Sequence, residues 1–195
     1  MSHWARALAT LCILALPVLG SANEAVTEAG ARFPTRIDAG GNELALAGTG
    51  VTKYRVVFTV SAVGLYVPKG TPPGAVLDAD TPRRIEIEYF YDIPAEDIIK
   101  ASMNVLNNQL TNAQLADQRS KIDEWHNAYK GVSEGDRYSM TYQPDRGTTL
   151  RLNGEPLITV EGPEFARTYF GIWLKANSPL SQSLRRSLLN PLTKQ

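Results

Sequence analysis

The segment spanning residues 48–67 constrains the fold of this chain more than any other stretch. Two glycines, Gly48 and Gly50, indicate a turn, and a long β-rich run follows them and ends at Val67. With the two-residue period of a strand, one face of the run is wholly apolar, and the other mixes cations and hydroxyls into an apolar lining. The apolar face carries Tyr54, Val56, Phe58, Val60 and Ala62, and the mixed face carries Lys53, Arg55, Val57, Thr59, Ser61 and Val63.

Two interpretations of this mixed face are open. The face fits the floor of a ligand cleft, with the apolar face packed against a core. It also fits the solvated side of an ordinary amphipathic strand, and the segment taken alone favours this second interpretation.

The first 22 residues have the pattern of a secretory signal peptide. Arg6 precedes an apolar run over residues 8–19, and small residues follow as far as Ala22. The run is shorter than the roughly 20 residues that a membrane-spanning helix needs. We therefore expect cleavage after Ala22, a periplasmic or secreted protein, and a single domain over residues 23–195.

Cysteine usage and charge exclude several classes of function for the mature chain. The single cysteine, Cys12, lies inside the apolar run, so we expect a mature chain without disulfides or thiolate sites, which fits a bacterial periplasm. The sequence has 20 Lys and Arg against 20 Asp and Glu, interspersed without a basic patch, so nucleic-acid binding is not predicted. After the apolar run, no segment is long and apolar enough for a transmembrane helix, and we expect a soluble protein.

The remaining periodicities predict an α+β fold with a largely antiparallel sheet, in the element order β-β-β-α-α-β-β-β-α-α. Residues 23–35 are small, polar and acidic and are expected to form a loosely held lead-in. Hairpins are predicted around residues 39–41 and around Asn153-Gly154. In the strand over residues 83–91, Ile85, Ile87 and Tyr89 are expected to point inward. Helices are predicted from Pro94, over residues 112–129 with Asn112 as the cap, and over residues 164–175 and 181–189.

Few residues of the mature chain suggest catalysis or metal binding. His126 is its only histidine and lies on a predicted helix, where a structural role is the commoner one. Neither zinc-ligand spacing nor a convergent carboxylate loop is present, and the Gly48-Thr49-Gly50 run lacks the rest of a dinucleotide motif. We therefore predict no catalytic residue, no metal site and no cofactor. Acid–base catalysis by a tyrosine or a carboxylate stays open.

A second polar face lies on the first predicted helix. Its members recur at steps of three, four and seven residues: Asp97, Lys100, Ala101, Asn104 and Asn108. This face could meet the mixed face of the strand across a cleft. An ordinary solvated helix face is the alternative, and the pattern alone favours it.

Four blocks of sequence, in order, resemble the chalcone isomerase-like family in its exported bacterial branch. They are GLYV at 64–67, RRIEIEYFYDIPAED at 83–97, the strand after Gly135-Asp136 with its Asn153-Gly154 hairpin, and GPEFARTYFGIWLKANSPLSQSLRRSLL at 162–189. The resemblance implies an open-faced β-sandwich, in which helices cover one face of an antiparallel sheet and an elongated apolar cleft lies between them. It also implies one of three roles, since the family includes flavonoid isomerases, fatty-acid binders and proteins without known activity.

The family's enzyme residues match this chain only in part. Thr52 stands where the enzymes have an arginine that holds the substrate, although Lys53 and Arg55 are close. Ser61 retains a hydroxyl in place of the family threonine, and Asn104 matches the family asparagine. Asp97 replaces the tyrosine that orders a water. Flavonoid isomerisation is therefore not expected, because the groups that stabilise the reacting oxygen are missing.

We predict from this a non-catalytic periplasmic binder of a small apolar or acyl ligand. Lys53 or Arg55 would meet a ligand carboxylate, and the remaining predicted contacts are Thr52, Thr59, Ser61, Asp97 and Asn104. An isomerase or lyase acting on a non-flavonoid substrate is the alternative. A protein whose cleft is filled by its own side chains is a third possibility.

Overall fold

The computed structural model describes residues 24–54 and 57–194. The predicted signal peptide, with Cys12, and the predicted ligand residue Arg55 lie outside these ranges. The described residues form nine strands and four α-helices. The strands are β1 (Ala25–Glu28), β2 (Ala31–Pro34), β3 (Arg36–Asp38), β4 (Glu43–Tyr54), β5 (Phe58–Val67), β6 (Arg83–Tyr89), β7 (Arg137–Gln143), β8 (Gly147–Leu152) and β9 (Glu155–Val160). The helices are α1 (Ala95–Gln109), α2 (Asn112–Asn127), α3 (Pro163–Leu174) and α4 (Gln182–Leu189).

The architecture is one antiparallel meander with helices on one face. Strands β3 to β9 pair consecutively in a seven-stranded sheet, and each pair is antiparallel. The main core lies between this sheet and the helices, and its buried members include Val63, Ile85, Trp125, Phe170 and Leu188. The predicted α+β fold with helices over one face of the sheet is confirmed. Among the described helices, none combines the length and the apolar character needed to cross a membrane.

The prediction of one long strand that follows Gly50 and ends at Val67 is wrong. The chain reverses between Tyr54 and Phe58, so this segment supplies half of β4 and all of β5, which pair with Thr52 opposite Ser61. The error has a physical reason, because no glycine, proline, asparagine or aspartate lies between Tyr54 and Phe58 to mark the turn.

The predicted turn at Gly48 and Gly50 is also wrong, because both glycines lie inside β4. They face α4, which packs directly on the strand backbone. A Cβ atom on Gly48 would lie 2.5 Å from the Ser187 carbonyl oxygen, and one on Gly50 would lie 2.8 Å from Leu184 Cδ1. The two glycines are therefore required for close helix–strand packing rather than for a turn.

The N-terminal segment covers the other face of the sheet and is not the loose lead-in that we expected. Strands β1 and β2 form a separate hairpin whose Phe33 is fully buried. Phe33 packs on Gly64 of β5, where a Cβ atom would lie 2.6 Å from its ring. With Leu44, Ala62 and Tyr66, it forms a second, smaller core. The sheet is therefore buried on both faces in its central strands.

Local sequence signals predicted the positions of most of the other helices and strands correctly. The helix predicted from Pro94 begins at Ala95, and Glu96 and Asp97 lie in its first turn. Asn153 and Gly154 both have positive φ in the β8–β9 turn, as the predicted hairpin requires. The cap of α2 is Thr111 rather than Asn112, because the Thr111 side chain and Gln114 form a reciprocal capping box.

Candidate functional site

An apolar cavity of about 140 Å³ lies between the sheet and helices α1 and α3. Strands β4, β5 and β6 form one wall, and α1, α3 and the segment after α3 form the other. Most of the lining is aliphatic or aromatic. Its apolar members are Val60, Ile87, Tyr89, Ile93, Ile98, Ala101, Ile172, Trp173 and Leu180.

Four polar side chains interrupt this apolar lining. Thr52 and Ser61 face each other across the β4–β5 pair, and Asp97 and Ser102 come from α1. The Ser102 hydroxyl donates to the Ile98 carbonyl over 3.0 Å. The side chains of Thr52, Ser61 and Asp97 make no hydrogen bond or ion pair to any residue that the structure describes. Ser61 is a buried residue that lines the cavity, so its hydroxyl is suited to a hydrogen bond with a ligand or water there.

The cavity opens to solvent beside α1. Asp97 and Ala101 both line the cavity, and both are exposed. Ser102, Ile172 and Trp173 are buried and mark the inner end. A ligand would therefore enter past Asp97, the only charged side chain of the lining within the described residues.

The structure brings some of the predicted ligand residues together and leaves others apart. Thr52, Ser61 and Asp97 line the cavity. Lys53 and Thr59 are opposite each other near the end of the β4–β5 hairpin, beyond a register irregularity, and do not line it. Asn104 is exposed on α1 and also lies outside the lining, since it is seven residues, or about 10 Å, beyond Asp97 along the helix. Roles in binding for these residues and for Arg55 stay predictions.

Several residues that line the cavity could not be identified as site residues from the sequence. Ile87 and Tyr89 were expected to point inward, but alternation cannot tell a packed position from one beside a cavity. Ser102 lies one turn after Ile98 on the buried side of α1, and a polar residue within an apolar stripe is the signal that could have identified it. Trp173 and Leu180 gave no usable signal, because their place depends on how α3 crosses α1.

A buried polar network lies behind Tyr89. His126 Nε2 is 3.2 Å from the Tyr169 hydroxyl, which donates to the Tyr129 hydroxyl over 3.2 Å. Trp125 Nε1 donates to the same Tyr129 oxygen over 3.3 Å. Burial raises the pKa of Tyr129 to about 12 and lowers the pKa of His126. His126 belongs to this network and not to the lining of the cavity.

The described residues show no metal centre. Within residues 24–54 and 57–194, no cluster of three or more histidine, cysteine, aspartate or glutamate side chains could hold a metal ion.

Comparison with known proteins adds two likenesses. A family model described as chalcone isomerase-like matches residues 25–190. Among solved structures, the fold is similar to that of a fatty-acid binding protein from Arabidopsis thaliana, with a TM-score of 0.69 and 16% sequence identity, over 87% of this chain and 98% of that chain. No curated protein sequence matches the chain. At this level of identity, the structural likeness establishes the fold alone.

Proposed function

The chain belongs to the chalcone isomerase-like family, and from this premise we propose that it binds a small, largely apolar ligand in the cavity between the sheet and α1. One observation carries the proposal. Thr52, Ser61 and Asp97 converge on an apolar cavity without partners among the described side chains. A mostly apolar pocket with a few convergent polar groups is the usual form of a small-molecule site.

The size of the cavity limits how much of a ligand it can enclose. About 140 Å³ is close to the roughly 150 Å³ of an engineered apolar cavity that holds benzene. It is below the roughly 300 Å³ at which drug-sized pockets begin. An acyl ligand would therefore place only part of its chain inside the cavity. The likeness to a fatty-acid binding protein supports the acyl class.

The charges around the cavity determine where a ligand carboxylate would lie. Asp97 would repel a carboxylate placed at the opening beside α1. The opposite wall ends at Thr52, and the cation Lys53 follows it in β4. A carboxylate would therefore bind on the hairpin side, near Thr52, where Lys53 supplies the compensating charge; Arg55, two residues later in the sequence, is the alternative cation.

The proposal has two further parts: the protein is exported, and it binds its ligand without catalysing a reaction. Support for the absence of catalysis comes from Thr52 and Asp97, which stand where the family's enzymes have an arginine and a tyrosine. Support for export comes from the signal-peptide pattern that ends at Ala22.

A substitution that blocks the opening of the cavity tests the proposal directly. Ala101 lines the cavity but is exposed, so Ala101→Phe blocks the opening without overpacking the core. Ala116, exposed on α2 and outside the cavity, gives the matched control Ala116→Phe. Calorimetric titration with straight-chain fatty acids and the matching alcohols should show binding that Ala101→Phe abolishes and Ala116→Phe preserves.

Two other results would count against the proposal. If neither acids nor alcohols bind to the unmodified protein, the proposed ligand class is wrong. If Ala101→Phe binds as tightly as Ala116→Phe, the ligand lies elsewhere. Equal thermal stability of the two variants checks that lost binding does not reflect lost folding.

A further inference from the structure

A second concave site lies on the face of the sheet opposite the helices. Arg84 of β6, Thr141 of β7 and Thr149 of β8 are direct cross-strand neighbours and form a row across the sheet. Gln143 and Arg151 follow Thr141 and Thr149 by two residues, so they lie on the same face. The flanking residues Ile85 and Tyr142 belong to the helix-side core, so the row faces away from the helices.

Two turns convert this row into a pocket of about 350 Å³. The β7–β8 turn contributes Arg146, and the β3–β4 turn contributes residues 38–40. Gln143 Nε2 fixes the second turn, because it donates to the Ala39 carbonyl over 2.9 Å and to the Gly40 carbonyl over 3.3 Å. The rim is therefore tied to the strand that forms the floor.

The lining of this pocket carries an excess of positive charge. Its charged members are three arginines, Arg84, Arg146 and Arg151, and a single carboxylate, Asp38. Asp38 is already engaged, because its Oδ1 accepts the Gly41 backbone N–H over 3.2 Å. Only Arg84 has an ion pair, at 2.8 Å to Glu86. Two of the three guanidinium groups, those of Arg146 and Arg151, are therefore not paired with any described carboxylate.

Several donors of these side chains lack a partner. Arg84 Nε is buried and makes no hydrogen bond to the described part of the chain. The Arg151 side chain donates only to the Gly154 carbonyl, over 3.1 Å, and the Arg146 side chain has no partner within residues 24–54 and 57–194. The Thr141 hydroxyl on the floor is likewise without one there. Of these donors, Arg84 Nε is the buried one, and a buried donor without a partner is uncommon in folded proteins and calls for an ion or a water that completes it.

We propose that this pocket binds a phosphate-like oxyanion through Arg84, Arg146, Arg151 and Thr141. Guanidinium groups match the oxygens of phosphate with paired, charge-assisted hydrogen bonds. The concave, polar lining suits a compact anion rather than an apolar chain. The site is independent of the apolar cavity, because the two lie on opposite faces of the sheet.

Titration with inorganic pyrophosphate, followed by nuclear magnetic resonance, tests the site. Saturable binding is expected, with shifts at Thr141 and Thr149. Arg146→Gln and Arg151→Gln should each weaken it by about tenfold or more. Arg119→Gln is the matched control, since Arg119 is exposed on α2 and removing it lowers the net charge by the same amount. The control should change the affinity by less than about twofold.

Two outcomes would overturn the proposal. One is the absence of saturable binding by the unmodified protein. The other is an equal loss of affinity in Arg146→Gln and Arg119→Gln, which would mean general attraction between charges. A comparison of vesicles of phosphatidylglycerol with vesicles of phosphatidylcholine then identifies the source of the phosphate. Vesicle binding that pyrophosphate displaces indicates a lipid headgroup, and pyrophosphate binding without vesicle binding indicates a soluble anion.

Discussion

At the scale of single residues, His126 shows how burial makes a side chain sensitive to pH. Its ring lies between α2 and α3 against Tyr169, and it is 8% exposed. Burial lowers the pKa of His126 from 6.5, an effect that Asp123 partly offsets and that Arg119 adds to. The imidazolium form is therefore less stable in the folded protein than in the unfolded chain.

The sign of the resulting pH dependence follows from linkage. Below about pH 6.5 the unfolded chain binds a proton at this position more readily than the folded protein does. The free energy of unfolding should therefore fall as the pH drops below about 6.5, until it reaches the lower pKa of the folded state. His126→Gln, which keeps a polar side chain opposite Tyr169, should make this decline shallower in urea unfolding measured at several pH values. Equal slopes for both proteins would contradict the assignment to His126.

At the scale of secondary-structure elements, the contact between β4 and α4 depends on glycine. Leu184 and Leu188 of α4 are buried over the strand, and Gly48 and Gly50 remove the side chains that would hold the helix away. The atoms nearest to a Cβ on Gly48 are backbone atoms of Ser187 and Leu188, which cannot rotate aside. A methyl group here must displace the whole helix.

Gly48→Ala should therefore destabilise the protein by about 1–3 kcal/mol, the usual cost of overpacking a core. Gly74→Ala is the matched control. Gly74 is exposed, and a Cβ there would have no atom within 4 Å. The control should be neutral or slightly stabilising, because alanine restricts the unfolded chain. Guanidinium unfolding compares the two variants, and equal stabilities would mean that α4 does not require the glycine.

At the scale of the whole molecule, the sequence predicted elements with local signals and missed contacts between distant segments. The alternation around Ile85 and Tyr89 and the Asn153-Gly154 turn were sufficient for β6 and for the β8–β9 hairpin. The reversal after Tyr54 was missed, because it carries no turn residue. The packing of Phe33 on Gly64 was missed too, because an acidic, polar segment gives no sign of the sheet face that it covers.

The residues of the candidate site also divide into those that the sequence indicated and those that it did not. The family resemblance pointed to Thr52, Ser61 and Asp97, which the structure places at the cavity. It also pointed to Asn104, which lies two helical turns further along α1. Trp173 and Leu180 line the cavity through the crossing of helices, and no local pattern encodes that crossing. The sequence therefore identified three of the four polar members of the lining, all but Ser102, and missed much of the apolar wall.

The buried tyrosines give the whole molecule a characteristic response to alkali. Burial raises the pKa of six of them, Tyr66, Tyr89, Tyr129, Tyr138, Tyr142 and Tyr169. In the unfolded chain these phenols ionise near pH 10. Their contribution to stability is therefore complete below about pH 10 and is lost as the pH rises beyond it. Arg83 acts in the opposite direction, because burial lowers its pKa to about 10, but it is one group against six.

The tyrosinate absorbance of these six buried residues and the loss of ellipticity should therefore appear in one transition above about pH 10. Tyr66→Phe should move this transition to higher pH, because the Tyr66 hydroxyl is buried without a hydrogen bond to the described residues and phenylalanine cannot ionise. Tyr91→Phe, at an exposed position, should leave the midpoint unchanged. Tyrosinate absorbance that is complete while the ellipticity stays native would mean that the phenols ionise inside the fold. Unfolding is expected instead because burial is the main cause of each raised pKa, so these phenolates become hydrated only when the structure opens.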